Sequence, residues 1–322
     1  MTRASSMVAA AAVLIATAAL AGRAEAAGSC ATFQVIGNEL NLDYNPFSPQ
    51  PVNRPFQLTV TRLDPSVTGV RFILVDHTPS NGGSRIGPGG PRDYDITWLG
   101  NTGQPVFFAS PQAVNGAIGA TASFGSGPHA VVSVPFILHI PQGQPVAASR
   151  QDETIEIRFQ CSAGPEPQTQ ELQYDNRVSI HLTIPRYFGA YVGSLGHSHG
   201  EIDFGTLRGD PGSSDRYVSV TAVSTVPYSI NIDTDNGSML RRSHEDDDGI
   251  PYSMTFDSIP VRDHAKLRCP ATQSSLGSSA PLAVRLDDTH AHDLPAGAYR
   301  DTIRLTFTPT DGVQRGRDCE AE

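Results

Sequence analysis

The sequence predicts an all-β chain of two similar domains, and three observations predict it. The 30 Gly and 25 Pro among 322 residues are scattered so that apolar runs stay short, the punctuation of many strands joined by turns. Several segments alternate apolar and polar residues with period two, which places the apolar set on one face of a pleated strand. Those segments recur in the same order in both halves. A chain of this length suits about two domains, and a hydrophobic fraction of 39% is enough for compact cores.

Residues 1–26 read as an export signal. Arg3 gives a positive start, Met7 to Ala21 is an uncharged Ala-rich run, and Ala24-Glu25-Ala26 is an A-x-A cleavage site. The run is about 15 residues, short against the roughly 20 that a spanning helix needs. In an oxidising compartment the four cysteines, Cys30, Cys161, Cys269 and Cys319, favour disulfides, and no C-x-x-C spacing competes. Charged residues are only 17% and the net charge is -10, so the basic footprint of a phosphate-backbone binder is missing and nucleic acid is excluded as a partner.

The strand pattern repeats. Thr154-Ile155-Glu156-Ile157-Arg158-Phe159 puts Ile155, Ile157 and Phe159 on one side, and Thr302-Ile303-Arg304-Leu305-Thr306-Phe307 repeats it residue for residue. Upstream lie Ile140-Pro141-Gln142-Gly143 and Leu294-Pro295-Ala296-Gly297. Leu40 to Tyr44 corresponds to Ile202 to Gly205, Phe56 to Val60 to Tyr217 to Val220, and Tyr94 to Trp98 to Tyr252 to Phe256. Ala163 to Gln170 has the composition of a linker or long turn, which divides the chain into a first domain at 27–170 and a second at 171–322. That division leaves two cysteines on each side, so Cys30 with Cys161 and Cys269 with Cys319 is the economical choice among three connectivities.

The second half resembles the spore coat protein U domain, the module from which subunits of archaic chaperone-usher pili are built. The resemblance rests on Ile202 to Leu207, Val226 to Ile230, Ile250 to Phe256 and above all Leu294-Pro295-Ala296-Gly297-Ala298-Tyr299-Arg300-Asp301-Thr302-Ile303. The first half resembles it more weakly, through Leu42 to Pro46, Tyr94 to Trp98 and Ile140 to Gly143. Two departures stand out. Arg62 occupies a place where the family commonly has cysteine, and the residues from Asp311 to Glu322 extend beyond the pattern in a way that could tie Cys319 back to Cys269.

The resemblance implies two immunoglobulin-like β-sandwiches, the C-terminal one an incomplete pilin domain that lacks its last strand and is completed by a donor strand from another chain. An unpaired edge with open N–H and C=O groups is a template for such a strand. Ile303, Leu305 and Phe307 are then expected to line one side of the groove. The implied partners are a periplasmic chaperone, an outer-membrane usher and an adjacent pilin subunit, with passage through the periplasm to the cell surface. Two domains, and a mature start that runs into Cys30 with almost nothing to donate, suggest a tip adhesin that mediates attachment to abiotic or host surfaces and biofilm formation. Arg177 to Ile184, with Val178, Ile180, Leu182 and Ile184 alternating, either completes the first domain or begins the second.

Family tip subunits present apolar loop ends, and here two Gly-rich loops carry isolated apolar residues: Ser80 to Pro91 with Ile86, and Ser110 to Gly127 with Val114, Ile118 and Phe124. His197/His199 and His290/His292 each put two imidazoles on one face if extended, but a solvated loop is the simpler reading and no metal is expected. Glu245 to Gly249 lacks the ligand spacing of an EF-hand loop. G-x-S-x-G, H-E-x-x-H and phosphate-cradling loops are all missing, so the chain reads as a non-enzymatic protein without cofactor. The alternative function is a secreted, spore-coat-like structural surface protein that never enters a pilus.

Overall fold

The computed structural model describes the chain except for residues 1–29, 37–38, 77–83, 163–172, 195, 208–214, 244–247, 273, 288, 290 and 313–317, and except for the side chains of 173–177 and 292. The expected export signal at 1–26 and the segment 163–170 therefore lie outside the described residues. The described residues are all-β apart from one 3₁₀ turn at Ala291–Asp293.

Ten strands form a first sandwich: β1 (Ala31–Val35), β2 (Glu39–Asp43), β3 (Val52–Arg62), β4 (Gly69–Asp76), β5 (Asp95–Trp98), β6 (Phe107–Phe108), β7 (Ala120–Ser123), β8 (Val131–Ile140), β9 (Ser149–Ser162) and β10 (Gln173–Ile184). One sheet runs β1-β3-β8-β5, and the facing sheet runs β2-β10-β9-β4-β6 with β7 added on β4. Alternation along each strand aims aromatic rings between the sheets, where they meet edge-on, tilted or stacked. Phe33 lies 5.0 Å from Phe72 and 4.8 Å from Phe159, and Phe136 stacks on Phe56 at 5.5 Å. The Cys30–Cys161 disulfide joins the start of β1 to the end of β9 across this core.

Strand β10 settles the alternatives for residues 177–184. It pairs antiparallel with β9 and parallel with β2, inside the first domain's own sheet. Val178, Ile180, Leu182 and Ile184 are all buried in that core. The division between the sandwiches consequently falls at Pro185, not near residue 170. The Gly/Pro-rich stretch from Ala163 to Gln170 connects two strands of one sheet, and composition cannot distinguish a long hairpin connection from a linker.

The second sandwich has β11 (Phe188–Val192), β12 (Asp215–Ser224), β13 (Tyr228–Thr234), β14 (Met239–Arg241), β15 (Gly249–Phe256), β16 (Ile259–Val261), β17 (Ala265–Cys269), β18 (Ser278–Leu286), β19 (Ile303–Pro309) and β20 (Glu320–Ala321). One sheet runs β11-β12-β18-β15-β14 with β16 on β15, and the other runs β19-β13-β17-β20. The order β1-β3-β8-β5 of the first sandwich is matched by β11-β12-β18-β15, and the neighbours β9-β4 by β19-β13. The duplication read from sequence is thus a duplication of topology. Among the described residues no strand of the second sandwich stands where β2 and β10 stand in the first.

Because Ile180 fills the core of its own domain with no exposed surface, Ile180→Ala is expected to destabilise the first sandwich by about 2–5 kcal/mol. Denaturant unfolding of the full chain, followed at Trp98, reads this directly.

Candidate strand-acceptor groove

The two copies of the same strand pattern have different surroundings. In the first sandwich β9 is flanked by β4 on one side and β10 on the other, and Ile155, Ile157 and Phe159 are 0%, 0% and 1% exposed. In the second, β19 pairs with β13 alone among the described residues. Ile303, Leu305 and Phe307 pack against the core but remain only half-buried. The sequence makes the same inward face twice, and only one copy is covered. One edge of β19 has no strand partner among the described residues, the condition under which a sheet accepts another strand.

The opposite lip shows the same deficit. In the first sandwich Leu40 and Leu42 of β2 are buried, and among the described residues β2 forms a ladder with β10 alone. The corresponding stretch Glu201 to Leu207 forms no strand, with Ile202 and Phe204 half-buried in the same alternation. Losing the partner ladder explains why an equally suitable sequence stays irregular. Strand β11 completes this lip, paired only with β12 among the described residues and half-buried along its whole length. At the end of the groove nearest the first domain, Phe188, Tyr228 and Phe307 cluster with centroids 5.4, 5.9 and 6.2 Å apart. Burial there pushes the Tyr228 hydroxyl up to about 12.

The signature from Leu294 to Ile303 builds the other end. Asp301 accepts hydrogen bonds from the backbone N–H of Thr302 at 2.7 Å and Asn236 at 3.0 Å, and from the Tyr252 hydroxyl at 2.6 Å. Burial and that bond to Asp301 hold the Tyr252 hydroxyl far above its ordinary range. Tyr299 donates to the Pro295 carbonyl at 2.7 Å, closing the turn. The first sandwich has a counterpart: Glu153 accepts from Thr154 N–H at 2.9 Å, and burial with the Asp76 and Glu153 charges raises the matching Tyr94 hydroxyl. These acid–tyrosine arrangements fix the strand before the groove and explain why the motif carries Asp-Thr.

The chain after β19 turns away from the groove. Cys269–Cys319 ties it to β17, β20 adds to the far edge of that strand, and Glu322 pairs with Lys266 and Arg268. The residues Asp311 to Glu322 carry Val313 as their one aliphatic side chain larger than Ala, so they have no alternating apolar face with which to cover β19. Closing loops of 131 and 50 residues, the two disulfides each contribute on the order of 4–5 kcal/mol in the chain-entropy model. Arg62 donates to the Val67 carbonyl at 3.0 Å and lies over the Phe124 ring.

The expected adhesive residues fare unequally. Ile86 is 0% exposed and belongs to the core, which corrects the expectation that it forms an apolar loop end. Its loop is pinned inward by alternate N–H groups: Arg85 donates to Asp76, Gly87 to Glu153 and Gly89 to Gln151, at 2.9, 3.0 and 2.9 Å. Gly87 has φ +65°, and a Cβ there would meet the Gln151 amide oxygen at 2.8 Å and the Asp152 carbonyl at 3.1 Å, so a side chain is strained at this position. Val114 and Ile118 are half-buried, with Arg71 holding the carbonyls of Gly116 and Ile118, and one face of Phe124 is taken by Arg62. Sequence reasoning missed Leu63 and Val131, which are 43% and 59% exposed where β3 ends and β8 begins, at the pole opposite Ile184 and Pro185. Isolated apolar residues at strand ends give no pattern to find.

Among the described residues the only trio of metal-ligating side chains within 4.8 Å is Asp233, Asp263 and His264. His264 offers Nδ1 to Asp233 at 2.8 Å and Nε2 to Asp263 at 3.3 Å, and the hydrogen bond to Asp233, with the Asp263 charge, raises its pKa. His197 and His199 are exposed with rings 6.4 Å apart, while His290 and most of Glu245–Gly249 lie outside the described residues.

No protein-family model matches the chain, and no curated protein does. Solved structures similar to it include the CupB6 tip adhesin from Pseudomonas aeruginosa, at 11% identity over 86% of this chain and 94% of that one, TM-score 0.40. Another is CfaE, the adhesive subunit of CFA/I fimbria of enterotoxigenic Escherichia coli, at 10% identity over 88% and 95%, TM-score 0.38. A third is a chain of the chaperone–tip adhesion subunit complex of archaic chaperone-usher Csu pili of Acinetobacter baumannii, at 11% identity over 86% and 99%, TM-score 0.33.

The matched strands make a matched prediction. Ile157→Ala is expected to cost about 2–5 kcal/mol, and Leu305→Ala roughly half as much in the free chain because its side chain is already partly in water. Equal costs, measured as separate shifts in the unfolding of each domain, would contradict the groove.

Proposed function

We propose that the chain is a subunit of a chaperone-usher pilus whose second sandwich is completed by a strand from another polypeptide. The observation that carries this reading is the contrast between β9, sealed by β10, and β19, which presents the same apolar face half-exposed beside an unpaired backbone edge. Filling the groove would bury Ile303, Leu305 and Phe307 together with Ile202, Phe204 and Phe188, at about 1 kcal/mol or more for each half-buried side chain. Ladder hydrogen bonds add to this and fix the register.

The first sandwich serves as the pattern for the occupant. There β10 runs antiparallel to β9, parallel to β2 and against β1, with aliphatic residues at every second position from Val178 to Ile184. A chaperone strand, then a neighbouring subunit's strand, would supply the same alternation to the second sandwich. The chemistry is association without bond making or breaking, on the cell surface after passage through the periplasm.

A place at the pilus tip is supported by the self-sufficiency of the first sandwich. It supplies its own last strand, so a two-domain chain offers one acceptor groove and holds a complete domain beyond it. Its outer pole exposes Leu63 and Val131, with Phe124 beside them, and we assign surface attachment, and biofilm formation through it, to that pole rather than to Ile86.

Co-expression with a periplasmic chaperone of the chaperone-usher class is expected to give a one-to-one complex with the full chain. Leu305→Lys should abolish that complex and leave first-domain unfolding unchanged. Complex formation that survives Leu305→Lys and Ile303→Lys would sink the proposal.

A further inference from the structure

We propose that the cleft between the two sandwiches binds an acidic oligosaccharide, a run of sugar rings carrying carboxylate or sulfate groups. The cleft encloses about 930 Å³ and lies at a domain junction, where ligand sites concentrate. This site is separate from the acceptor groove and does not rest on it.

Charge sets the ligand's sign. Arg85 and Arg92 reach the cleft from the first sandwich and Arg186 from the connection between the two, on a chain whose net charge is -10. The acidic groups on the walls are Asp93 and Asp311, and Asp311 is taken up by Arg186. Arg85 and Arg92 against Asp93 then leave the cleft with one net positive charge. Guanidinium groups stay charged and match planar oxyanions with paired N–H donors.

The walls are held in place by contacts of their own. Arg85 is anchored through its backbone N–H to Asp76 at 2.9 Å and through Nη1 to the Pro88 carbonyl at 2.8 Å. Gln144 and Asp93 are reciprocally bonded, Asp93 N–H to Oε1 at 2.9 Å and Nε2 to the Asp93 carbonyl at 2.7 Å. Ala148 N–H donates to the Thr225 carbonyl at 2.8 Å, joining the sandwiches at the back. Such fixed walls lower the ordering cost of binding.

Shape and chemistry point to a saccharide. A single phosphate or sulfate ion would leave most of the volume unfilled. The lining residues all lie between strands, so no open β-edge is present to extend a peptide. Pro145, Pro227 and Pro270 instead offer flat apolar faces suited to the C–H faces of sugar rings.

The test is calorimetric titration of the full chain at 0.15 M salt with tetragalacturonate, a chondroitin sulfate tetrasaccharide, neutral maltotetraose and hexaglutamate. Saturable binding of one of the first two is expected, with maltotetraose inert, and the responding probe tells carboxylate from sulfate recognition. Arg92→Ala and Arg85→Gln, the latter keeping its backbone bond to Asp76, should each weaken it about tenfold. The proposal is overturned if neither acidic saccharide binds the folded chain, if hexaglutamate binds equally well, or if both variants bind like the parent.

Discussion

The structure depends on a strand edge that nothing in the described residues pairs. A β-strand with one apolar face needs two things from its surroundings: a facing sheet for its side chains and neighbours for its backbone. Strand β9 has both, and β19, built from the same residue pattern, has the facing sheet and, among the described residues, one neighbour. Half-exposure of Ile303, Leu305 and Phe307 and the irregular path of Glu201 to Leu207 are two consequences of that single vacancy. A domain in this condition keeps its fold because the β13 and β17 ladders, the Asp301–Tyr252 bond and the Cys269–Cys319 bridge secure the rest of the sheet.

The duplication makes the molecule its own control. Both sandwiches place an acidic residue one position before the Thr that opens the repeated pattern, Glu153 and Asp301, and both keep a tyrosine nearby, Tyr94 and Tyr252. What separates them is the chain that follows. After β9 comes β10, aliphatic at alternate positions, and it lies down beside β9. After β19 comes a polar run that bridges to β17 on the other side of the sheet. One fold thus gives a closed domain and an open one through the composition of a single segment.

Much of this was legible from residues alone. Period-two alternation located the repeated strand, and the even cysteine count with two in each half gave the pairing that the disulfides have. That Ile303, Leu305 and Phe307 share the inward face of their strand follows from parity. Three things were not legible. Alternation in Arg177 to Ile184 says that a strand forms and not which sheet takes it, since that depends on which neighbour lacks a partner. Ile86 looked like a loop tip because the side chains that draw it inward, Asp76, Gln151 and Glu153, sit on strands remote or hidden in sequence. The cleft with Arg85, Arg92 and Arg186 arises only when two domains meet.

The central claim is that β19 is an open edge while β9 is a closed one. Amide hydrogen exchange on the free full chain compares them directly, since both report opening within one molecule under one condition. The account predicts that Ile303–Pro309 exchanges orders of magnitude faster than Ile155–Cys161 and becomes protected when a complementing strand is bound. Equal, strong protection of both strands in the free monomer would contradict it.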